Sequence, residues 1–467
     1  MRLTTNTSVR LCVIALGCVV MTACSSLTAG NMFSHYTAQN ESVYQAVQSG
    51  DYSRAEEKLP DYQAGDILDN LEKGRVHLLA SSYPASKASF ELSDKAVRDW
   101  QDQAVVSVSD TATSVGALAV NDNLTNYHPA DYELGFLHLY LGLNYIHSNS
   151  LEGALVEMRR ANQVQEKAKR QREAELQSAQ SDMQKSGLSP NLGSVLSRYP
   201  DAGNKLKAVQ NGYLFYLSAL LYETQGDVNS AYVDYKRALA VAPDNKQVIE
   251  GTLRLATRLG MRQDLKLLSK QYGAYQPIPK GAGRVIILDE RGVVKAMDNW
   301  RLTIPVDGGG GMGLYSVALP YYDDNAPQRF PALQLDGKGI DGDELVDVNL
   351  MASNHLSEAM PNMLLRQVLR VVTKDNLRRQ AANGDDVTNL VFNVFNTLTE
   401  QPDTRSWQSL PAEVYSSSAT LKPGSHEVFV EGKRYNFDIK DGQTTLVWLS
   451  RQGNNVTIWH KQLGAIQ

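Results

Sequence analysis

The sequence predicts an α+β multidomain chain, in which an N-terminal all-α helical-repeat solenoid is followed by a β-rich domain with a helical insert. Three observations predict it. A pattern of small and aromatic residues fills 212–245 and returns at 135–168. At "QPIPKG" (276–281) the apolar spacing changes from helical to alternating. Helical spacing then returns inside the second half, over 355–399. The expected boundaries are a signal peptide at 1–23, a lipidated tether at 24–39, repeats at 40–275 and the β-rich domain at 276–467.

The N-terminus carries the most specific signal. Arg2 and Arg10 flank a polar start, and 11–23 is almost wholly apolar. That run is too short to span a bilayer, which takes about 20 residues. Met21-Thr22-Ala23 then precedes Cys24. The junction resembles the lipobox of a bacterial lipoprotein, with Cys24 as the acylated mature N-terminus. Each buried CH₂ is worth about 0.8 kcal/mol of membrane affinity, so a single acyl chain is marginal and several hold firmly. Ser25 and Ser26 stand where such lipoproteins carry an inner-membrane retention Asp, so the expected location is the outer membrane, facing the periplasm.

The three cysteines are Cys12, Cys18 and Cys24, so the mature chain has no internal disulfide, no further thiolate and no cysteine zinc site. Residues 1–23 hold Arg2 and Arg10 and no acidic residue, so their removal moves the net charge from −5 to −7. An acidic chain argues against nucleic acid as a partner.

The stretch "GYLFYLSALLYETQGDVNSAYVDYKRALAVAPDN" resembles a tetratricopeptide repeat over its full length. Phe215 stands at the motif's Trp position, Ala219 and Ala231 are the small residues of the two helices, and Tyr222 and Tyr235 are the aromatics. Gly226 supplies the turn, Ala238 packs near the end, and Pro243 stops the second helix. In the second copy Gly142, Tyr145, Ala154 and Ala161 fall in register, Met158 replaces an aromatic, and the second helix runs on through a charged stretch. Weaker copies place Gly50, Tyr52 and Ala55, and then Gly74, Tyr83, Ser86 and Phe90, at matching positions. "NKQVIEGTLRLATRLGMRQDLKLLSKQYG" reads as a capping pair, and 187–205 as an interruption. Such a solenoid offers a concave surface to protein partners.

In the second half, "RVIILDERGVVKAMDNWRLTIPV" reads as strand, turn and strand. The C-terminal stretch from "SHEVFVEG" reads as a four-stranded antiparallel meander, with Tyr435, Phe437 and Ile439 on one face and Asp441-Gly442 as a hairpin turn. In the insert, Leu364, Leu365, Val368, Leu369 and Val372 form an apolar stripe. Arg366, Arg370, Lys374 and Arg378 form a basic ridge, read as a solvated face.

Local catalytic motifs are missing. "DGGGGMG" (307–313) is read as a loop and not as a dinucleotide fingerprint, and "DGKGIDGDELVD" as a turn and not as a calcium loop, because Lys338 and Ile340 occupy ligand positions. No HExxH or GxSxG is present. The expectation is therefore no catalytic residue, no metal and no cofactor.

Together with the lipobox, "DNLEKGRVHLL", "ALVEMRRANQ", "LLRQVLRVVTK" and "DTRSWQSLP" resemble an uncharacterised family of Gram-negative outer-membrane lipoproteins with an N-terminal tetratricopeptide-like half, over nearly the full length. Arg405, Trp407 and Pro411 lie in the most distinctive of these stretches, where Trp407 also reads as a core anchor of the β domain. The resemblance implies a lipid-anchored scaffold for protein partners, other envelope lipoproteins among them, in envelope maintenance or appendage assembly. The alternative is an enzyme or ligand-binding protein with a site between solenoid and β domain.

Overall fold

The computed structural model describes residues 34–60, 63–106, 126–185, 206–307, 312–382 and 401–464. Cys24, the expected signal peptide, the interruption at 187–205 and the core of "DGGGGMG" lie outside the described residues.

Ten α-helices and one short 3-10 turn (Leu206–Ala208) are described before residue 283, arranged as helix pairs. The pairs are α1 (Tyr36–Ser49) with α2 (Tyr52–Glu57), α3 (Asp66–Leu79) with α4 (Tyr83–Val106), and α5 (Asp131–His147) with α6 (Leu151–Lys185). Then follow α7 (Gly212–Gln225) with α8 (Val228–Val241), and α9 (Lys246–Arg258) with α10 (Arg262–Tyr272). Helix α1 begins inside the stretch 24–39 expected to be a tether, and Tyr36 is already buried.

The pairs form for local reasons. Gly50 (φ 79°) and Gly226 (φ 87°) take the left-handed conformation that ends a helix. The aspartates that follow, Asp51 and Asp227, cap the next helix through Arg54 N and Ser230 N. Three crossings place a glycine against an aromatic ring. A Cβ on Gly74 would come within 2.5 Å of Phe90, one on Gly153 within 2.6 Å of Tyr145, and one on Gly251 within 2.3 Å of Tyr235. The rings occupy the space a side chain would need, so these helices lie close together.

Eleven strands are described in the second half: β1 (Gly283–Arg291), β2 (Asp298–Asp307), β3 (Met312–Tyr321), β4 (Leu333–Leu335), β5 (Lys338–Ile340), β6 (Asp343–Asp347), β7 (Glu413–Leu421), β8 (Gly424–Val430), β9 (Lys433–Ile439), β10 (Thr444–Gln452) and β11 (Asn455–Gly464). They make a five-stranded sheet β11-β10-β1-β7-β6, a four-stranded sheet β5-β4-β8-β9 and a two-stranded ribbon β2-β3. The expected meander is therefore corrected. β8–β9 and β10–β11 are antiparallel hairpins, but they belong to different sheets, and β10 runs parallel to β1.

The physical reason is the apolar load of β10. All nine of its residues are buried, so it needs cover on both faces. Val447 and Leu449, with Val285 and Ile287 of β1, pack on Val428, Phe437 and Ile439 of the smaller sheet. Leu446 and Trp448, with Ile286 and Leu288, face the helices. The Asp441-Gly442 turn thus carries the chain between sheets. A tight hairpin forms instead at Asp336-Gly337, where both φ values are positive (50° and 75°), between β4 and β5.

Helix α11 (Val348–Ala382) starts before the expected insert at 355. Leu364 packs with Met297, Leu319, Leu356 and Met360, and Arg366 is exposed. Arg370, expected on a solvated ridge, is fully buried; the four-residue spacing placed it on a face that turns inward. The side chains of Leu365, Val368, Leu369, Val372, Lys374 and Arg378 lie outside the described residues.

One hydrophobic core runs through both halves, joining Leu71, Phe136, Tyr140 and Leu217 of the helices to Ile286, Leu446 and Trp448 of the sheet. The helical array is tied down at both ends. Tyr52 donates to Gln452 Oε1 (2.6 Å) and Asn455 Nδ2 to Gly50 O (2.8 Å). Asn245, which caps α9, donates to Ser416 Oγ (2.8 Å) and Asp343 O (3.0 Å).

Candidate functional site at the junction of helices and sheet

The segment 404–410, from "DTRSWQSLP", lies against the helices and not within the sheets. Trp407 is fully buried, its ring 5.7 Å from those of both Phe90 (α4) and Tyr140 (α5). It is an anchor, as expected, but in the helical array and not in the β domain. Two buried glutamates hold the backbone that follows. Glu133 Oε1 accepts from Trp407 N (2.7 Å), while Glu72 accepts from Gln408 N (2.6 Å) and Ser409 N (3.2 Å). Glu133 also accepts from Ala130 N (2.8 Å), as the glutamate of a capping box does, and from the Tyr127 hydroxyl.

Burial drives both glutamates towards their protonated forms, against the hydrogen bonds they accept. Glu72 is pushed up to about 7 and Glu133 is raised. Beneath them Arg75 pairs with Glu290 of β1 at 2.7 Å, both fully buried. Glu290 also accepts from Tyr140, Tyr213 and the Trp448 indole (3.0–3.3 Å), so its carboxylate is surrounded by donors.

Beside this junction opens a cleft of about 540 Å³, between the start of α5, helix α11 and residues 403–406. Tyr132 and Tyr322 line it with Met297, Leu356 and Met363, and His128, His355, Glu358 and Arg366 supply polar groups. Arg405 grips Asp403 with two bonds of 2.8 and 2.9 Å. Burial works against the Asp403 charge, yet the Arg405 guanidinium holds its carboxyl below the ordinary range. Burial lowers His128, and Arg405 and Arg366 lower it further. Among the described residues no group of three or more His, Cys, Asp or Glu could hold a metal ion, and no helix is long and apolar enough to cross a membrane.

The repeat residues lie elsewhere. Phe215, Ala219, Ala231, Tyr235 and Ala238 are buried within the α7–α8 pair, with Tyr222 at its edge, Gly226 in the turn and Pro243 beyond α8. Gly142, Ala154 and Ala161 lie in the α5–α6 crossing, where a Gly142 Cβ would meet Met158 at 2.6 Å, and half-buried Tyr145 covers Gly153. None of these lines the cleft. Sequence reasoning missed Glu72, Glu133 and Arg75, since single charges inside helical patterns read as solvated. Glu133 carried no capping-box signature, because the residue three before it, Ala130, has no side-chain oxygen.

No family model and no curated protein matches this sequence. Part of the chain is similar to solved structures. MamA AMB-1 has 13% identity, covering 50% of this chain and 88% of that one, with a TM-score of 0.27. A crystal structure of MamA protein has 9% identity over 54% of this chain and 100% of that one, TM-score 0.28. The TPR2AB-domain:pHSP90-complex of yeast Sti1 has 8% identity over 50% and 87%, TM-score 0.20. The superpositions are loose, and the tetratricopeptide-like character of the helical half rests on its own paired helices and their small-residue crossings.

Proposed function

We propose that this protein is a non-catalytic scaffold for protein partners, anchored through acylated Cys24 to the periplasmic face of the outer membrane, within the lipoprotein family its sequence resembles. The site we assign to partners is the cleft between α5, α11 and residues 403–406. One observation carries that choice: the inner face of the helical array, where partners were expected, is filled by the chain's own sheet and by Trp407. The cleft is a large open concavity beside it, with polar and apolar walls suited to a peptide or protein edge.

A photo-crosslinking residue at His128 or Asn362, both exposed in the cleft, should give discrete protein adducts in intact envelopes, and one at exposed Leu267 of α10 should not. Adducts from Leu267 alone would move the partner surface to the outer helices. Cys24→Ser should leave the protein unprocessed or release it from membranes, and normal processing and fractionation would sink the anchor.

The convergence of His128, His355, Glu358 and Asp403 on one cleft favours a second reading, a small-ligand site. That reading expects no protein adduct, and protection of the two histidines from chemical modification in envelope extracts.

A further inference from the structure

Residues 404–410 are held as a ligand is held, by main-chain and side-chain contacts from elements far away in sequence. Glu133 and Glu72 accept from three successive backbone amides, at residues 407, 408 and 409. Arg75 Nε donates to Ser409 O (3.2 Å), completing a polar frame around a backbone that turns at residues 408 and 409. Side chains are read as well. The Gln408 amide is paired on both sides, accepting from Asn40 (2.9 Å) and donating to Thr37 Oγ1 (2.9 Å). Thr37 N donates to Thr404 Oγ1 (3.1 Å), and Trp407 fills an aromatic socket between Phe90 and Tyr140. All these contacts come from α1, α3, α4 and α5.

We propose that the inner face of these four helices is a peptide-reading groove, and that residues 404–410 of the same chain are its resident occupant. The partner chemistry that fits is a segment with Thr, Trp and Gln at the spacing of Thr404, Trp407 and Gln408, turning after the Trp, with free amides at three consecutive positions. Proline there would remove a donor that a buried carboxylate requires. An occupant in the same chain has an effective concentration of millimolar order, so a free peptide competes only when the resident segment is weakened.

The test uses the full mature chain and a synthetic peptide of residues 402–411. The native chain should not bind it measurably. The Trp407→Ala chain should bind it saturably, with at least tenfold weaker binding when the peptide itself carries Trp407→Ala or Gln408→Pro. A folded Trp407→Ala chain that binds none of the peptides, or all of them equally, would overturn the proposal. The conservative variant Glu72→Gln gives a second reading independent of that fold. Its new NH₂ would face an amide donor, so hydrogen exchange at Gln408 or Ser409 should quicken at least tenfold while Ile286 and Trp448 keep their protection. Unchanged exchange at both amides would equally overturn it.

Discussion

Glu72 combines full burial with two backbone amides and the Tyr36 hydroxyl on its oxygens, and that combination sets a pH dependence. Burial raises its carboxyl from the ordinary 4.5 to about 7, and nearby Glu133 adds to the rise. A group whose folded pKa is raised contributes stability that is fully present below the unfolded value and is lost as pH rises through the folded one. One pKa unit is worth about 1.4 kcal/mol, so roughly 3 kcal/mol should be lost between about pH 4.5 and 7. Chemical denaturation across that range should show the decline, and Glu72→Gln should lessen it, with the raised Glu133 keeping a remainder. A flat native profile would mean that Glu72 is ionised without penalty. Arg370 gives a second residue-level expectation. It is fully buried, so Arg370→Glu should cost about 3 kcal/mol or more, whereas exposed Arg366→Glu should stay within about 0.5 kcal/mol. Equal midpoints in urea would contradict this. These residues were the least legible in the sequence. A glutamate or arginine in a helix reads as solvated unless its partners are known, and the backbone amides that Glu72 holds stand more than three hundred positions away.

At the scale of helices and strands, the pairs were legible and the sheet was not. The α7–α8 pair could be read because its small and aromatic residues, its turn glycine and Pro243 all serve contacts within a few dozen residues. The order of the five-stranded sheet depends on β1 lying parallel to β10, a pairing no local turn encodes. The four consecutive apolar residues Leu446, Val447, Trp448 and Leu449 of β10 were the available sign that it is covered on both faces and is no member of a half-solvated meander. Close helix crossing also decides the sign of a substitution. In an ordinary helix Gly→Ala gains about 1 kcal/mol from propensity. At Gly74 the added Cβ would stand 2.5 Å from the Phe90 ring, and overpacking of this kind costs about 1–3 kcal/mol. Gly74→Ala should therefore lower the melting temperature, and a rise would show that Phe90 gives way freely. Ala231→Leu, fully buried in the α7–α8 pair, should be destabilising by a similar amount.

For the whole molecule, the sequence suggested a helical half and a β half meeting at 275/276; helix α10 ends at Tyr272 and strand β1 begins at Gly283. Packing does not respect that border. The largest core holds residues of both halves, Arg75 and Glu290 pair across it, and hydrogen bonds join the α1–α2 turn to β10–β11 and the cap of α9 to β6 and β7. Composition and periodicity report which residues are buried, not which half buries them, so this union could not be read in advance. Its consequence is cooperativity: damage in one half should be felt in the other. The most direct test is hydrogen exchange of the mature chain across a denaturant series, comparing amides of α7 with those of β1 and β10. The shared core predicts that all three open together at one denaturant concentration, and that Ala231→Leu moves them by the same amount. Separate openings, with β1 and β10 still protected after α7 has exchanged, would contradict it.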